Sequence, residues 1–450
     1  MKCERWVRPV AVAVVLFAAF WILFSTPRVK SVHAADETAV FQHLTIYPSP
    51  TEPPIKDGVI AIRGGRIGAV GPAGQVGMPA GVKPIGCSEC FITAGFQNSH
   101  VHFELGKWDD PAHQPAKELR QHLEDMLTRY GVTTAVDLGS MLQNTVAIRQ
   151  RIESGEVRGP RILTAGGPLF PPDGIPYYVR DKLPAEFLQY LAQPATPEAA
   201  VGFVDSNLDG GADVIKLFTG SLVGHGKVKP MPQDVATAAV AEAHRRGRLV
   251  FTHPSNMEGL TIAVNAGVDV LAHTTPMSGK WDAALTARMK ERHIALVPTL
   301  QLWISEAKAA GDSDAEAMEF ADRGVDELRD YARAGGQILF GTDVGYQDNY
   351  SPQKEYELMA RAGMTPMQIL ASLTTAPAER LGEANKRGRI AVGLDADLVL
   401  LDADPAKDAK NLARVCATFR KGQMIYATGS FETGGAVGLC PHISTEGIHP

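Results

Sequence analysis

The stretch FITAGFQNSHVHF, residues 91–103, decides how the chain is to be read, because it runs apolar and then closes on His100-Val101-His102. A strand turns successive side chains to opposite faces, so residues two apart point the same way. Two imidazoles on one face at the end of a strand make half of a metal site. Alone, such a pair also arises from chance or from structural histidines. The pattern downstream gives it weight.

Four further apolar runs each finish on a residue that can bind a metal or be made to: ADVIKLFTG with Lys216, RLVFTHP with His253, VDVLAHTTP with His273 and QILFGTDVG with Asp343. Singly, His253, His273 or Asp343 reads as a satisfied core or turn residue, and Lys216 as a snorkelling lysine or half of a buried ion pair. Jointly, all at strand ends and in this order, they match the rim at which (β/α)8 barrels collect their chemistry. Eight strand candidates alternate with helical stretches: Phe91–His102, Thr133–Leu138, Arg161–Ala165, Asp213–Phe218, Leu249–His253, Val268–His273, Ala295–Leu300 and Gln337–Thr342. Continuous apolar runs of this kind suit strands buried on both faces. Helix punctuation lies between them, with Pro232–Arg246 ending at Gly247, and Ser351-Pro352 and Thr365-Pro366 as starts.

Residues 37–90 read instead as short strands broken by Gly and Pro, and Gly64-Gly65 predicts a hairpin. This segment cannot build a parallel barrel by itself and is expected to pair with the strand-like residues 388–430. The expected fold class is therefore α/β: a (β/α)8 TIM barrel with a small β-sandwich formed by both chain ends. The domain reading is 1–34 signal peptide, 35–90 first part of the sandwich, 91–385 barrel, and 386–450 second part and tail.

With these motifs in place the chain resembles the amidohydrolase superfamily, in particular its imidazolonepropionase-like and prolidase-like members that carry a carboxylated lysine. The resemblance runs from about residue 37 to 430. The H-x-H of the first barrel strand falls on His100 and His102, the strand-four lysine on Lys216, the strand-five and strand-six histidines on His253 and His273, and the strand-eight aspartate on Asp343. TTAPAERLG (374–382) and GRIAVGLDADLVLLDADP (388–405) look like the family's last helix and its return to the β-domain. One departure is Pro254 directly after His253, where relatives often carry a small polar pair.

Such a site holds two divalent ions only if the lysine becomes an anionic bridge, since an ammonium offers donors alone. A neutral Lys216 can react with CO2 to give a carbamate with two oxygen ligands. The resemblance implies one ion on His100, His102, Lys216 and Asp343 and a second on Lys216, His253 and His273. Nitrogen and oxygen ligands without thiolate suit Zn2+, with manganese, iron or cobalt as alternatives. Water bridging two such ions is acidified, toward ~7 from ~16 for zinc. The expected reaction is hydrolysis of a C–N amide bond by that hydroxide, with Asp343 as proton shuttle. The substrate would be a small molecule: a dipeptide, N-acyl amino acid or cyclic amide. Alternatives are a mononuclear deaminase, against which Lys216 counts, a lactonase, and an inactive secreted binding protein. There is no G-x-S-x-G, H-E-x-x-H, Walker loop or G-x-G-x-x-G.

For substrate contacts the sequence offers Tyr177 and Tyr178 in GGPLFPPDGIPYYV (166–179), Gln301 and Trp303 beyond strand seven, and Tyr346 after Asp343. His225, Lys227 and Lys229 could greet a carboxylate or form a solvated loop. His113, His122, His244 and His293 lack strand-end context and read as surface or helix residues.

Composition bounds the rest. A chain of 450 residues, 45% hydrophobic, fits one barrel plus an accessory domain. Lys2, Arg5 and Arg8 precede the uncharged apolar run Val10–Phe24, with Val32 and Ala34 placed for cleavage. This predicts an exported protein, periplasmic or secreted; an uncleaved membrane anchor is the alternative, although the run is short for a ~20-residue span. Removing the five basic residues and one acidic residue of 1–34 leaves 39 Lys/Arg against 49 Asp/Glu, a formal charge of −10. Such an acidic chain without basic tracts argues against a nucleic-acid partner. A homo-oligomer stays open. Four cysteines remain beyond Cys3: Cys87, Cys90, Cys416 and Cys440. They permit two disulfides or free thiols; the Cys87-x-x-Cys90 spacing could also be half a zinc knuckle or a redox pair.

Overall fold

The computed structural model describes residues 38–77, 82, 84–87, 89–104, 106–183 and 188–428. The expected signal peptide, Cys3, Cys440 and the tail beyond 428 lie outside the described residues. No helix among the described residues is long and apolar enough to cross a membrane.

The chain opens with β1 (Thr38–Ile46), β2 (Ile55–Arg63), β3 (Arg66–Pro72), β4 (Ile85–Gly86) and β5 (Phe91–Ala94), and closes with β15 (Leu398–Leu401), β16 (Val415–Arg420) and β17 (Gln423–Ala427). These eight strands make one sheet in the order β17-β16-β15-β5-β1-β2-β3, with β4 on β1. Both chain ends therefore meet in a single hydrogen-bonded sheet, through Val399 opposite Thr93. The expected hairpin forms at Gly64-Gly65, with Arg63 facing Arg66. A disulfide joins Cys87 to Cys90, both buried in the core of this sheet. Buried Arg387 bonds Asp395 at 2.9 Å and Asp397 at 3.1 Å, which places the DADLVLLDAD carboxylates in an ion-pair network.

Between the two ends the chain alternates strands and helices. Parallel strands β6 (Phe96–Val101), β7 (Val132–Asp137) and β8 (Arg161–Thr164) form one sheet. A second contains β9 (Ile215–Phe218), β12 (Val250–His253), β13 (Val270–Ala272) and β14 (Ala295–Val297), again parallel. Backbone bonds connect the two: Asp213 N–H, just ahead of β9, donates to the Thr164 carbonyl of β8 at 2.7 Å, and on the other side the segment 337–342 lies between them, with Ser99 N–H of β6 bonded to the Phe340 carbonyl at 2.8 Å and Leu296 N–H of β14 to the Gln337 carbonyl at 2.9 Å. Strands β10 (Gly220–Gly224) and β11 (Lys227–Pro230) add an antiparallel hairpin after β9. The protein is thus a mixed α/β fold.

Residue alternation explains why these strands are apolar throughout. Val136, Leu163, Phe251, Val270 and Ala295 pack together in one cluster. Their neighbours Ile215, Val250, Leu271 and Leu296 join a second cluster with helix residues such as Ala239, Leu260 and Leu328. Both faces are buried, and each buried Val, Leu or Ile contributes roughly 1.5–3 kcal/mol. Helices start where the sequence provides caps. Thr365 accepts from Gln368 N–H ahead of Pro366, and Asn256 accepts from Gly259 N–H. The helix predicted to end at Gly247 runs Gln233–Arg245.

Three strand expectations need correction. Phe91–His102 is two strands, because at Gly95 the chain leaves the terminal sheet for β6. A Cβ on Gly95 would stand 2.3 Å from Thr133 Oγ1, so only glycine allows this approach. Ala295–Leu300 stops as a strand at Val297, since Thr299 turns left-handed (φ 46°) and Leu300 begins a helix. Gln337–Thr342 is no regular strand; its backbone bridges β14 at Ile338 opposite Leu296. We expect Gly95→Ala to destabilise the protein by roughly 1–3 kcal/mol, the usual cost of overpacking. Thr133→Ala should recover part of that loss in urea titrations; an unshifted midpoint for the single variant would show that the chain can cross here without glycine.

Candidate active site

The six residues singled out at strand ends come together. His100 is the penultimate residue of β6, and His102 follows its end. His100 Nε2 and His102 Nε2 are 3.2 Å apart, and Asp343 Oδ1 stands 3.0 Å from the first and 2.8 Å from the second. One ligand atom each from His100, His273 and Asp343 lies within 4.8 Å of the others. The His273 ring centroid is 4.7 Å from that of His100 and 4.5 Å from that of His253. His253 stacks on Phe218 at 4.8 Å, and Lys216 Nζ sits 5.5 Å from the same Phe218 ring. Lys216 is 1% exposed. It senses the Asp343 and Glu104 charges.

Backbone strain marks the same place. His273 (φ 107°), Asp343 (φ 59°), Ser255 (φ 53°) and Thr299 (φ 46°) all adopt left-handed conformations that side chains disfavour. Surrounding contacts hold them there. Thr299 Oγ1 lies 2.6 Å from His273 Nδ1 and donates to the Pro298 carbonyl at 2.9 Å. With its only proton so used, the hydroxyl accepts from Nδ1–H and leaves Nε2 of His273 as a lone-pair donor. The Asp343 loop rests on His102: a Cβ on Gly345 (φ 98°) would come within 1.8 Å of the His102 carbonyl oxygen. Pro254, the departure from relatives, starts a tight turn in which Ser255 Oγ donates to the Gly220 carbonyl at 2.9 Å.

Burial dominates the electrostatics. It lowers the His100 pKa to about 3 and that of Lys216 to about 7. His253 and His273 are likewise held well below the usual imidazole range. Burial alone would raise the Asp343 carboxyl, but His100 and His102 outweigh it and keep the group well below the usual range. His102 is pulled the other way: against the burial effect, Glu104 and Asp343 raise it to about 10. Asp343 Oδ1 and His253 Nε2 are buried without an aligned hydrogen-bond partner. The neutral imidazoles of His100, His253 and His273, the ionised Asp343 and a lysine shifted toward neutrality fit the deprotonated donors that a divalent cation requires, whereas His102 must give up its proton to join them.

The rim differs in part from expectation. Tyr178 meets Tyr346 at 5.3 Å and Tyr177 meets His225 at 5.1 Å between ring centroids, so these four do line one region. Gln301 and Trp303 are buried beside the cluster: Trp303 meets the His273 ring at 5.9 Å and donates Nε1 to Thr274 Oγ1 at 2.8 Å, and Gln301 Nε2 donates to the Asn349 carbonyl at 3.2 Å. Lys227 is exposed, and Lys229 reaches Asp173 at 3.5 Å. His113 pairs with Asp110 and His244 with Asp269, His122 packs on Trp108, and His293 sits in a turn. Sequence reasoning missed Glu104, whose Oε1 is 3.2 Å from His102 Nδ1, and Thr299. Glu104 extends the two-residue spacing of His100 and His102 and could have been found. Thr299 carries no such signal.

A profile of the Amidohydrolase family matches residues 91–425. The chain belongs to the amidohydrolase family, and is a hydrolase of that generally metal-dependent group. Among solved structures, a protein of Bifidobacterium longum described as a candidate prolidase superposes with a TM-score of 0.73 at 26% identity, covering 87% of this chain and 95% of that one. A Xaa-Pro dipeptidase with methionine in its active site reaches a TM-score of 0.75 over 87% of this chain and 100% of that chain, and at 23% identity it speaks for the fold alone. Ochratoxinase of Aspergillus niger is 27% identical over 177 residues, 38% of this chain and 36% of that protein. The match thus spans about a third of that relative's length.

One buried acid steadies the turn after His273. Glu327, on the helix Asp314–Arg333, accepts from Thr275 N–H at 2.5 Å and from Thr275 Oγ1 at 3.2 Å. Burial pushes its pKa up to about 8. A raised acid stabilises the fold fully below its unfolded value, and that contribution is lost as pH rises through the folded value. Glu327→Gln, which mimics the neutral acid, should therefore gain in Tm on the parent between about pH 6 and about pH 9. A constant Tm difference across that range would mean that Glu327 is already ionised at the lower pH.

Proposed function

We propose that this chain is an exported, binuclear metal-dependent amidohydrolase that cleaves a C–N amide bond in a small molecule, with dipeptides and N-acyl amino acids as the substrate class. The observation that carries the reading is the convergence of His100, His102, Lys216, His253, His273 and Asp343 in one buried cluster. The dipeptide end of the range is favoured by the likeness to the Bifidobacterium longum protein. We also read the two parallel sheets as parts of a (β/α)8 barrel; the backbone bonds between them and their shared interior cluster support this. The single sheet built from both chain ends then stands in the place of the expected accessory β-domain. Export rests on the leader-like residues 1–34.

His100, His102, Asp343, His253, His273 and a carboxylated Lys216 would together hold the two divalent ions. Zinc suits these nitrogen and oxygen donors. When bound, such ions supply Lewis acidity, acidifying water and polarising a carbonyl. The chain's own residues do the rest. Lys216, its pKa brought to about 7 by burial, is in part a free amine near neutral pH. Its Nζ can add to the carbon of CO2 and lose a proton, leaving an anionic carbamate with two oxygens. Asp343, held ionised by its histidine neighbours, can take the proton of the attacking water at a carboxylate oxygen and hand it to the leaving nitrogen. Thr299 and Glu104 face the Nδ1 atoms of His273 and His102 and fix which nitrogen points inward.

Two substitutions test the assignment on protein purified without chelators. Asp343→Asn should keep most of the metal while turnover of a dipeptide and N-acyl amino acid panel falls by roughly 10²–10⁴-fold, the usual contribution of a positioned acid–base group. Near-normal turnover would remove the proton-shuttle role. Lys216→Ala should lose metal by elemental analysis, with partial recovery of both metal and rate on adding short-chain carboxylic acids. A variant keeping its ions and full rate would make the lysine structural.

A further inference from the structure

Beyond the metal-ligand candidates, one carboxylate on the rim has no part in the chemistry above. Glu306 lies on the helix Leu300–Ala309, which starts directly after Thr299, the partner of His273. The first turn is pinned by buried Glu355, which accepts from Leu300 N–H at 2.9 Å and Gln301 N–H at 2.7 Å. Glu306 is tied sideways to the Asp343 loop. Tyr346, three residues after Asp343, donates its hydroxyl to Glu306 Oε1 at 3.0 Å, and Ser305 Oγ donates to Gln347 Oε1 at 3.0 Å. Burial pushes the Glu306 carboxyl up, and the Asp343 charge adds to that push, with Tyr346 and Lys182 opposing. A carboxylate so placed is relieved by a cation.

The surroundings already accept one. The ammonium of exposed Lys182 sits 4.9 Å over the Tyr346 ring, whose edge meets half-buried Tyr178 at 5.3 Å. The α-ammonium of an unblocked dipeptide is two bonds from its scissile carbonyl carbon. It must therefore lie close to the group that handles the attacking water. Of the other acids near the cluster, Glu104 is engaged by His102 and buried Asp137 by the hydroxyls of Ser140, Thr145 and Thr164. On this basis, and resting on the proposed amide hydrolysis, we propose that Glu306, with the Tyr346 face, binds the free amino terminus of the substrate and selects unblocked dipeptides over N-acylated ones. Lys182 is the resident cation that the substrate displaces.

The test compares kcat/KM for unblocked Xaa-Ala and Xaa-Pro dipeptides with that for their N-acetyl counterparts, in the metal-loaded parent and in three variants. Metal content and Tm are recorded for each. Glu306→Gln should lower the unblocked-to-acetylated ratio by roughly 10- to 100-fold, the value of a hydrogen bond to a charged group, mainly through KM. Lys182→Ala should move the ratio the opposite way, by about 2- to 5-fold, because a competing cation is gone. Tyr346→Phe keeps the ring and should lower the ratio less than Glu306→Gln does. If Glu306→Gln depresses both substrates equally, or leaves the ratio within about twofold, the carboxylate merely orders Tyr346 and the assignment falls. A parent that binds metal but cleaves neither set would instead overturn amide hydrolysis itself, and the Glu306 role with it.

Discussion

The structure depends on keeping six ionisable side chains in a nearly water-free floor. His100, Lys216 and His273 are among the most buried polar residues of the chain, and burial is the largest influence on each of their pKa values. A low-dielectric setting makes any unpaired charge expensive, so the groups are pushed toward neutrality or toward one another. That cost is also what prepares them as metal ligands and a proton carrier. A site open to water would leave Lys216 an ordinary ammonium, with no electron pair for CO2.

Holding donors there requires backbone that the chain would not adopt locally. His273 and Asp343 take left-handed conformations, as does Thr299, which orients His273. Each such residue costs on the order of 1–3 kcal/mol and survives because neighbours over-determine it. Those neighbours come from distant segments. Glu327 grips Thr275 across 52 residues, and Glu355 grips Leu300 across 55. The apolar strand layers supply the stability against which this strain is set. Strain and rigidity meet at one end of the parallel strands, where the chemistry gathers.

Much of this was legible in the linear order of residues. Period and composition placed seven of the eight inner strand candidates where strands or parts of strands form, because residues buried on both faces must be apolar. Those runs carried His100, His102, Lys216, His253 and His273 at or near their C-terminal ends, and the eighth carried Asp343, since the ends of neighbouring parallel strands are where side chains from distant segments can meet. The run around Gln337–Thr342 bridges its neighbour at Ile338 without becoming a regular strand, a distinction that apolar composition cannot make. The break at Gly95 was equally hidden, as it answers to Thr133 in another strand.

By itself, then, the sequence determined the α/β class, the pairing of the two chain ends and the six residues at the cluster, because burial and strand period act locally along the chain. Tertiary structure alone decided the distant partners: Thr299 behind His273, Glu327 beneath the Thr275 turn, and Glu306 beside Tyr346. The physical reason is one of range. A hydrogen bond joins groups close in space whatever their separation along the chain, and no periodicity records which distant donor will arrive.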